Sequence, residues 1–197
     1  MNKSNTNISE QLTELQRQLD AIKVAIAAAE QADNRPITER VQTFEDACEI
    51  LGDRHPLVRQ WVYAHTEINT HTAKEDCASY ADLFAYMKLR IITTALNEGW
   101  EPQFTEDEYR YYPWLYLYTE EELAKLNDEM KKRGVRFGGN AGNGAYAGLV
   151  YAYSDRAPAT ALATLGSRLC FKTSELAKYA GKQFADIYID FCLIRKN

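Results

Sequence analysis

Histidine is almost missing from this chain: His55, His65 and His71 are the only three, and none lies in the C-terminal half. Histidine is the side chain best suited to moving protons near neutral pH, so its scarcity removes most acid–base and nucleophile–base schemes from the larger part of the sequence. The run His65-Thr-Glu-Ile-Asn-Thr-His71 also misses the four-residue interval of a helical zinc site. Cysteine offers no substitute. Cys48, Cys77, Cys170 and Cys192 lie far apart without a Cys-x-x-Cys, which excludes a zinc ribbon or a dithiol pair and predicts free, buried thiols in a reducing compartment. No stretch approaches the roughly 18 consecutive apolar residues of a membrane span, and no apolar run follows basic residues at the N-terminus. The expectation is therefore no membrane partner and a cytoplasmic protein where it is synthesised.

Positive charge is short as well. The formal net charge is −5, so the overall field does not gather phosphates, and nucleic-acid binding would need a local patch. One segment departs from this balance: residues 166–197 hold six basic against three acidic residues, +3, leaving −8 for the remainder. Phosphate-binding motifs are lacking. Gly138-Gly-Asn-Ala-Gly-Asn-Gly144 has no Gly-Lys-Ser/Thr ending and does not fit Gly-x-Gly-x-x-Gly. Ser167 sits in Gly-Ser-Arg rather than in a nucleophile elbow, and Glu106, Asp107 and Glu108 read as a solvated turn. No catalytic, cofactor-binding or metal-ligating residue is assigned, no cofactor is expected, and enzymatic activity is not expected.

What is present is an organised chain with 46% hydrophobic and 26% charged residues, as in soluble globular proteins. Near the N-terminus, Asn7 and Glu10 resemble a capping box. Ile8, Leu12, Leu15, Leu19, Ile22, Ile26 and Ala29 then alternate steps of four and three, an a/d heptad seam with Gln11, Glu14, Arg17, Gln18 and Lys23 on the other faces. This predicts a coiled-coil arm over 1–35 that joins copies through Leu12, Leu15, Leu19, Ile22 and Ile26, ended by a hinge at Asp33-Asn-Arg-Pro36. A globular domain over 36–197 follows.

Within that domain, Thr43-Phe-Glu-Asp46 caps a short helix that Gly52 ends, and a helix is hinted from about Pro56 before a polar connection at 69–76. Ser79 to Asn97 forms a third helix, with Leu83, Phe84, Met87, Ile91, Ala95 and Leu96 inward and Gly99 as its stop. Tyr109 to Tyr118 has strand composition, and Pro113 places it at an edge or splits it. Thr119-Glu-Glu-Glu122 caps a helix carrying Leu123, Leu126 and Met130 to Gly134. Val135–Phe137 and Tyr146–Tyr153 pair as a hairpin across the glycine-rich loop, with Tyr151 and Tyr153 on one face, and Asp155-Arg-Ala-Pro158 turns. Finally Ser167–Phe171 reads as a strand feeding one long helix marked by Leu176, Ala180, Phe184, Ile187 and Phe191. The fold class is α+β: a coiled-coil-like arm, a helical segment, then a small antiparallel sheet packed by the long C-terminal helix.

Aromatic and basic residues coincide on the strands. Tyr112, Trp114, Tyr151 and Tyr153, with Arg168 and Lys172 four apart on one strand face, form a candidate binding surface, and Arg110 and Arg136 lie nearby. Stacking platforms flanked by cations suit single-stranded nucleic acid. The same residue types suit a protein interface or a tyrosine-rich core. A host-directed regulatory binder, engaging an unidentified protein partner through the acidic portion, is a further alternative.

The ordered motifs Thr43-Phe-Glu-Asp-Ala-Cys-Glu-Ile-Leu-Gly52, Lys88-Leu-Arg-Ile-Ile with Ala95-Leu-Asn-Glu-Gly-Trp100, Tyr111-Tyr-Pro-Trp114, Gly166-Ser-Arg-Leu-Cys-Phe-Lys172 and Glu175-Leu-Ala-Lys-Tyr-Ala-Gly-Lys-Gln-Phe184 resemble an uncharacterised family of bacteriophages and mobile elements of gut Bacteroidales. The resemblance covers most of the chain after about Arg40, while the heptad arm and the charged stretch at 120–133 depart from it. It implies a phage or mobile-element setting, with synthesis in the bacterial host cytoplasm and a place in the virion as the expected locations, and brings no activity with it.

Overall fold

A computed structural model of the protein describes residues 11–24, 34–74, 76–103, 105, 107–128, 136–140, 146–158 and 167–193. The chain divides into two compact units, Met1–Arg40 and Val41–Asn197.

The first unit contains a helix over residues 11–24, α1, and a short helix, α2, at Ile37–Arg40. The expected cap at Asn7 and Glu10 and the seam residues Ile8, Ile26 and Ala29 lie outside the described residues.

The second unit is an α+β domain. Its helical part begins with α3 at Phe44–Leu51, where Thr43 and Asp46 form a reciprocal capping box: the Asp46 N–H donates to Thr43 Oγ1 at 3.1 Å and the Thr43 N–H to Asp46 Oδ2 at 2.8 Å. Those bonds favour the carboxylate and hold the Asp46 carboxyl below its usual range. Gly52 ends the helix at φ 79°, in the region that favours glycine. Next comes α4 at Pro56–His71, which takes in the polar residues 69–71 expected to be a connection. Its N-cap is His55, whose Nδ1 accepts from the Leu57 N–H at 3.3 Å. A 3-10 turn at Cys77–Tyr80 leads into α5, Ala81–Asn97.

Helix α5 is the core element: Ala85, Leu89, Ile91, Ile92, Ala95 and Leu96 are buried, and it packs against α3 and α4 and against the chain's last helix. Cutting Leu89 or Leu96 back to alanine costs about 2–5 kcal/mol. Leu83, expected inward, is exposed at its first turn. The stop is made by two residues, Glu98 at φ 50° and Gly99 at φ 80°.

The sheet has three antiparallel strands in the order β1-β3-β2, with β1 Tyr109–Tyr118, β2 Arg136–Asn140 and β3 Tyr146–Pro158. Asn140 pairs with Tyr146, which closes the expected hairpin. Pro113 lies on an edge strand. The Tyr111 N–H faces outward to the Phe171 carbonyl, and the nitrogen two residues on faces the same way, so proline removes no ladder bond. Between β1 and β2 in the chain, Thr119 and Glu122 cap α6 at Glu120–Ala124, which ends before Leu126; the rest of the expected helix, from Met130 to Gly134, lies outside the described residues. Leu126 beyond it is buried.

Three expectations at the C-terminal side are corrected. Asp155–Pro158 is the end of β3, paired with Tyr109–Tyr112, not a turn. Ser167–Phe171 is not a strand: Ser167–Leu169 is a 3-10 turn, and only Phe171 bridges to Tyr111. The long helix is two helices, α7 at Ser174–Gln183 and α8 at Ala185–Cys192, divided at Phe184 with φ −109° and ψ 27°. Hydrogen bonding survives the break, because the Phe184 N–H donates to the Ala180 carbonyl and its own carbonyl accepts from Ile187 and Tyr188. The redirection lets α7 cover β1 and β3 while α8 packs on α5 and β2. Tyr179 Oη donates to the Val41 carbonyl at 2.7 Å and Gln183 Nε2 to the Gln42 carbonyl at 2.7 Å, tying α7 to the segment entering α3.

Candidate functional site

The segment 167–172 is held from two sides. Buried Asn97, the last residue of α5, donates from Nδ2 to the Cys170 carbonyl at 2.9 Å and accepts the Lys172 N–H on Oδ1 at 3.1 Å. These bonds hold the backbone of residues 170 and 172 on the side away from the sheet. On the sheet side, Phe171 exchanges two backbone hydrogen bonds with Tyr111, at 3.1 and 2.8 Å.

Arg110 anchors the turn before it. Its side chain is buried; Nη1 donates to Ser167 Oγ at 2.9 Å, Nη2 to the Gln103 carbonyl at 2.8 Å, and Nε lies 3.6 Å from Glu108 Oε1. Glu108 in turn accepts the Gln103 N–H at 2.7 Å. A cation held this way is part of a buried polar network, with its donors turned inward. Tyr112 lies beside Arg110 and Cys170, and burial raises its hydroxyl pKa. Burial also pushes the Cys170 thiol up to about 11, only partly offset by the Arg110 charge, so this sulfur is no thiolate nucleophile at neutral pH.

The candidate nucleic-acid surface is thus dispersed. Lys172 Nζ pairs with Glu98 Oε2 at 3.0 Å. Arg168 is exposed, but on the 3-10 turn, so the shared strand face expected of Arg168 and Lys172 does not exist. Tyr151 pairs with Leu115 and Tyr153 with Trp114, and Ala152 between them is the extra residue of a β-bulge. The bulge breaks the period-two alternation on which a common face depends. Of the proposed aromatics, Trp114 is exposed; Tyr109 and Tyr116, further along the same strand, are exposed too, with the Tyr116 and Tyr118 rings 6.0 Å apart.

Two features escape a linear reading. Trp61 and His65 on α4, Phe44 on α3 and Phe84 on α5 form a half-open aromatic cluster, with ring centroids 4.7 to 5.5 Å apart. Lys88 Nζ sits 5.2 Å from the Trp61 ring and 5.3 Å from Phe44, in cation–π range. The signal was the four-residue spacing of Trp61 with His65 and of Phe84 with Lys88. The second is an open groove of about 590 Å³ along α4, lined by Asp53, Val58, Arg59, Val62, Tyr63, Thr66 and Glu67. The histidines have local duties: His55 caps α4, His65 is hydrogen-bonded to Asn69 at 3.0 Å, and His71 lies 3.6 Å from Glu67. Of the four thiols, only Cys170 is fully buried, contrary to expectation; Cys48 and Cys77 are half-buried and Cys192 is exposed. Among the described residues no group of three His, Cys, Asp or Glu could hold a metal, and no helix is long and apolar enough to cross a membrane.

The arm presents the clearest surface. Leu12, Leu15, Leu19 and Ile22 on α1 are 62%, 61%, 46% and 56% exposed. The charges beside them are satisfied within the helix, Arg17 to Glu14 at 3.0 Å and Lys23 to Asp20 at 3.5 Å. Comparison of the chain with protein-family models, curated proteins and solved structures finds no match.

Proposed function

We propose that this protein acts by self-association and binding rather than by catalysis, as a virion or assembly component of a phage or mobile element. The observation that carries the reading is the exposed a/d seam of α1. Four large aliphatic side chains on one stripe, each worth about 1.5–3 kcal/mol when fully buried, are a stripe that only another helix covers efficiently. The motif resemblance supports the phage setting. The exposed Tyr109, Trp114 and Tyr116 on β1 supply aromatic contact area of the kind enriched at protein interfaces.

Analytical ultracentrifugation of the full chain tests self-association. The wild type is expected to be oligomeric at micromolar concentration and a Leu15→Glu, Leu19→Glu variant monomeric. A monomeric wild type removes the reading. Single-stranded nucleic-acid binding is less well supported, because Arg110 is buried, Lys172 is paired and the net charge is −5. Fluorescence anisotropy with labelled single-stranded DNA and RNA at low salt decides it: salt-sensitive binding weakened by Arg168→Ala, Lys172→Ala would restore that reading in place of protein–protein assembly.

A further inference from the structure

The steps of the seam fix the heptad phase, since a to d is three residues and d to a is four. Leu12 and Leu19 therefore occupy a, Leu15 and Ile22 occupy d, Gln16 and Lys23 occupy e, and Gln11 and Gln18 occupy g. Helical geometry over residues 11–24 places these positions on one continuous stripe with its flanks.

Two properties of this arrangement oppose a two-stranded coiled coil. Parallel dimers favour β-branched residues at a and leucine at d, whereas leucine at a with isoleucine at d shifts the preference to three or four strands. Along the whole seam two of the three a positions, Leu12 and Leu19, are leucine, and of its three β-branched residues Ile8 and Ile22 fall at d and only Ile26 at a. The flanks point the same way. Dimers commonly carry Glu and Lys at e and g to form interhelical ion pairs, but three of these four positions are glutamine. Lys23 is engaged by Asp20 of its own helix, and Gln16 and Gln18 are hydrogen-bonded to Asp20 and Glu14 of that helix. Uncharged flanks let identical copies approach without like-charge repulsion, and they tolerate the greater burial that e and g meet when more than two helices surround a core.

We propose that α1 joins three or four copies of this chain in a parallel bundle, each copy thereby contributing its own Val41–Asn197 domain to one assembly. The inference rests on the self-association reading and specifies its partner, further copies of the same chain, and their number. Multiplying the binding domains in this way raises avidity for a repetitive target without any new contact.

The test is the mass of the full chain, by light scattering or sedimentation equilibrium, in the wild type and in the isomeric variant Leu12→Ile, Leu19→Ile, Ile22→Leu. That variant preserves size and apolarity while installing the dimer-favouring pattern, so a folding failure is not built into it. With a chain mass of 22.5 kDa, the wild type is expected at three or four times that value and the variant at twice it. A wild-type dimer overturns the inference but leaves self-association standing, whereas a wild-type monomer overturns both. A wild-type trimer or tetramer whose variant keeps the same mass also overturns it, because packing at a and d is then not what sets the number. If the variant loses helicity by circular dichroism, the single change Ile22→Leu gives the same reading: a mass falling toward the dimer supports the inference and an unchanged mass refutes it.

Discussion

Replacing Asn97 with alanine should loosen the domain where α5, β1 and the segment before α7 meet. The side chain is buried and makes two hydrogen bonds to backbone, one to the Cys170 carbonyl and one from the Lys172 N–H. A typical hydrogen bond contributes about 1 kcal/mol net, and a buried backbone group left without a partner costs about 1–3 kcal/mol. Losing both bonds is therefore expected to cost about 3 kcal/mol, with Lys172 recovering part of its share through water. For a domain of this size that corresponds to a fall in Tm of roughly 6–12 °C. The loss should be local as well as global. Phase-resolved hydrogen exchange should show faster exchange at the Tyr111 and Phe171 amides, whose mutual bridge depends on where Asn97 holds residues 170 and 172. Asn97→Asp is a sharper probe, since it retains an acceptor for the Lys172 N–H but sets a carboxylate oxygen against the Cys170 carbonyl; it should destabilise at least as much as alanine. A Tm change below about 1 °C in Asn97→Ala, with the two amides unaltered, would refute the claim that this side chain shapes the segment.

Other outcomes follow from the same accounting. Tyr188 is fully buried in α8, and its hydroxyl finds no hydrogen-bond partner among the described residues. Tyr188→Phe is thus expected to raise stability by about 1 kcal/mol in urea denaturation, and a comparable loss would show that the hydroxyl is bonded. Asp46 has its pKa lowered on folding, chiefly by the Thr43 N–H, so its contribution is present above the carboxylate's unfolded pKa and disappears as pH falls through the folded value. Asp46→Asn removes that titration and should lower stability at pH 7 by up to about 1 kcal/mol while flattening the acid limb of the stability profile; an identical acid limb would contradict the cap's role. The Cys170 thiol is raised by burial, so its contribution is complete below the unfolded value of 9.0 and declines as pH rises toward about 11. Iodoacetamide at pH 8 should leave Cys170 unmodified in native protein and label it in urea, as read by peptide mass spectrometry, and rapid native labelling would mean that the sulfur is accessible.

The parts of the fold that sequence reading anticipates are those whose causes lie within a few residues. The Thr43–Asp46 box and the Thr119–Glu122 box are each three-residue exchanges, and each is formed. The β2–β3 hairpin and the edge position of Pro113 belong to the same class. The errors have distant causes. Ser167–Phe171 has the composition of a strand, but its first three residues form a 3-10 turn, and its backbone is held from a distance by Asn97, 73 residues before Cys170. Arg110 alternates correctly for a surface cation, yet its guanidinium is claimed by Gln103 and by Ser167, the latter 57 residues away. The α7–α8 break carries no glycine or proline, only a phenylalanine whose burial is decided by the packing of both helices.

The same division separates the two candidate surfaces. A binding patch assembled from strands depends on register, and β3 carries one extra residue, Ala152, between the partners of Trp114 and Leu115. Counting tyrosines therefore says how much aromatic material is available and nothing about which rings are used inside: Tyr188 and Tyr112 are drawn into the domain, while Trp114 and Tyr116 stay at its surface. A heptad seam has no such dependence. Its geometry is set by the helix alone, so a stripe legible at three- and four-residue steps remains a stripe wherever the helix is placed. In α1 that stripe is exposed, its neighbouring charges are paired within the helix, and its glutamine flanks suit further copies of itself. For this chain the exposed arm is consequently the surface on which tests of the proposed self-association have most purchase, and the aromatic edge of β1 is the next surface to test for binding.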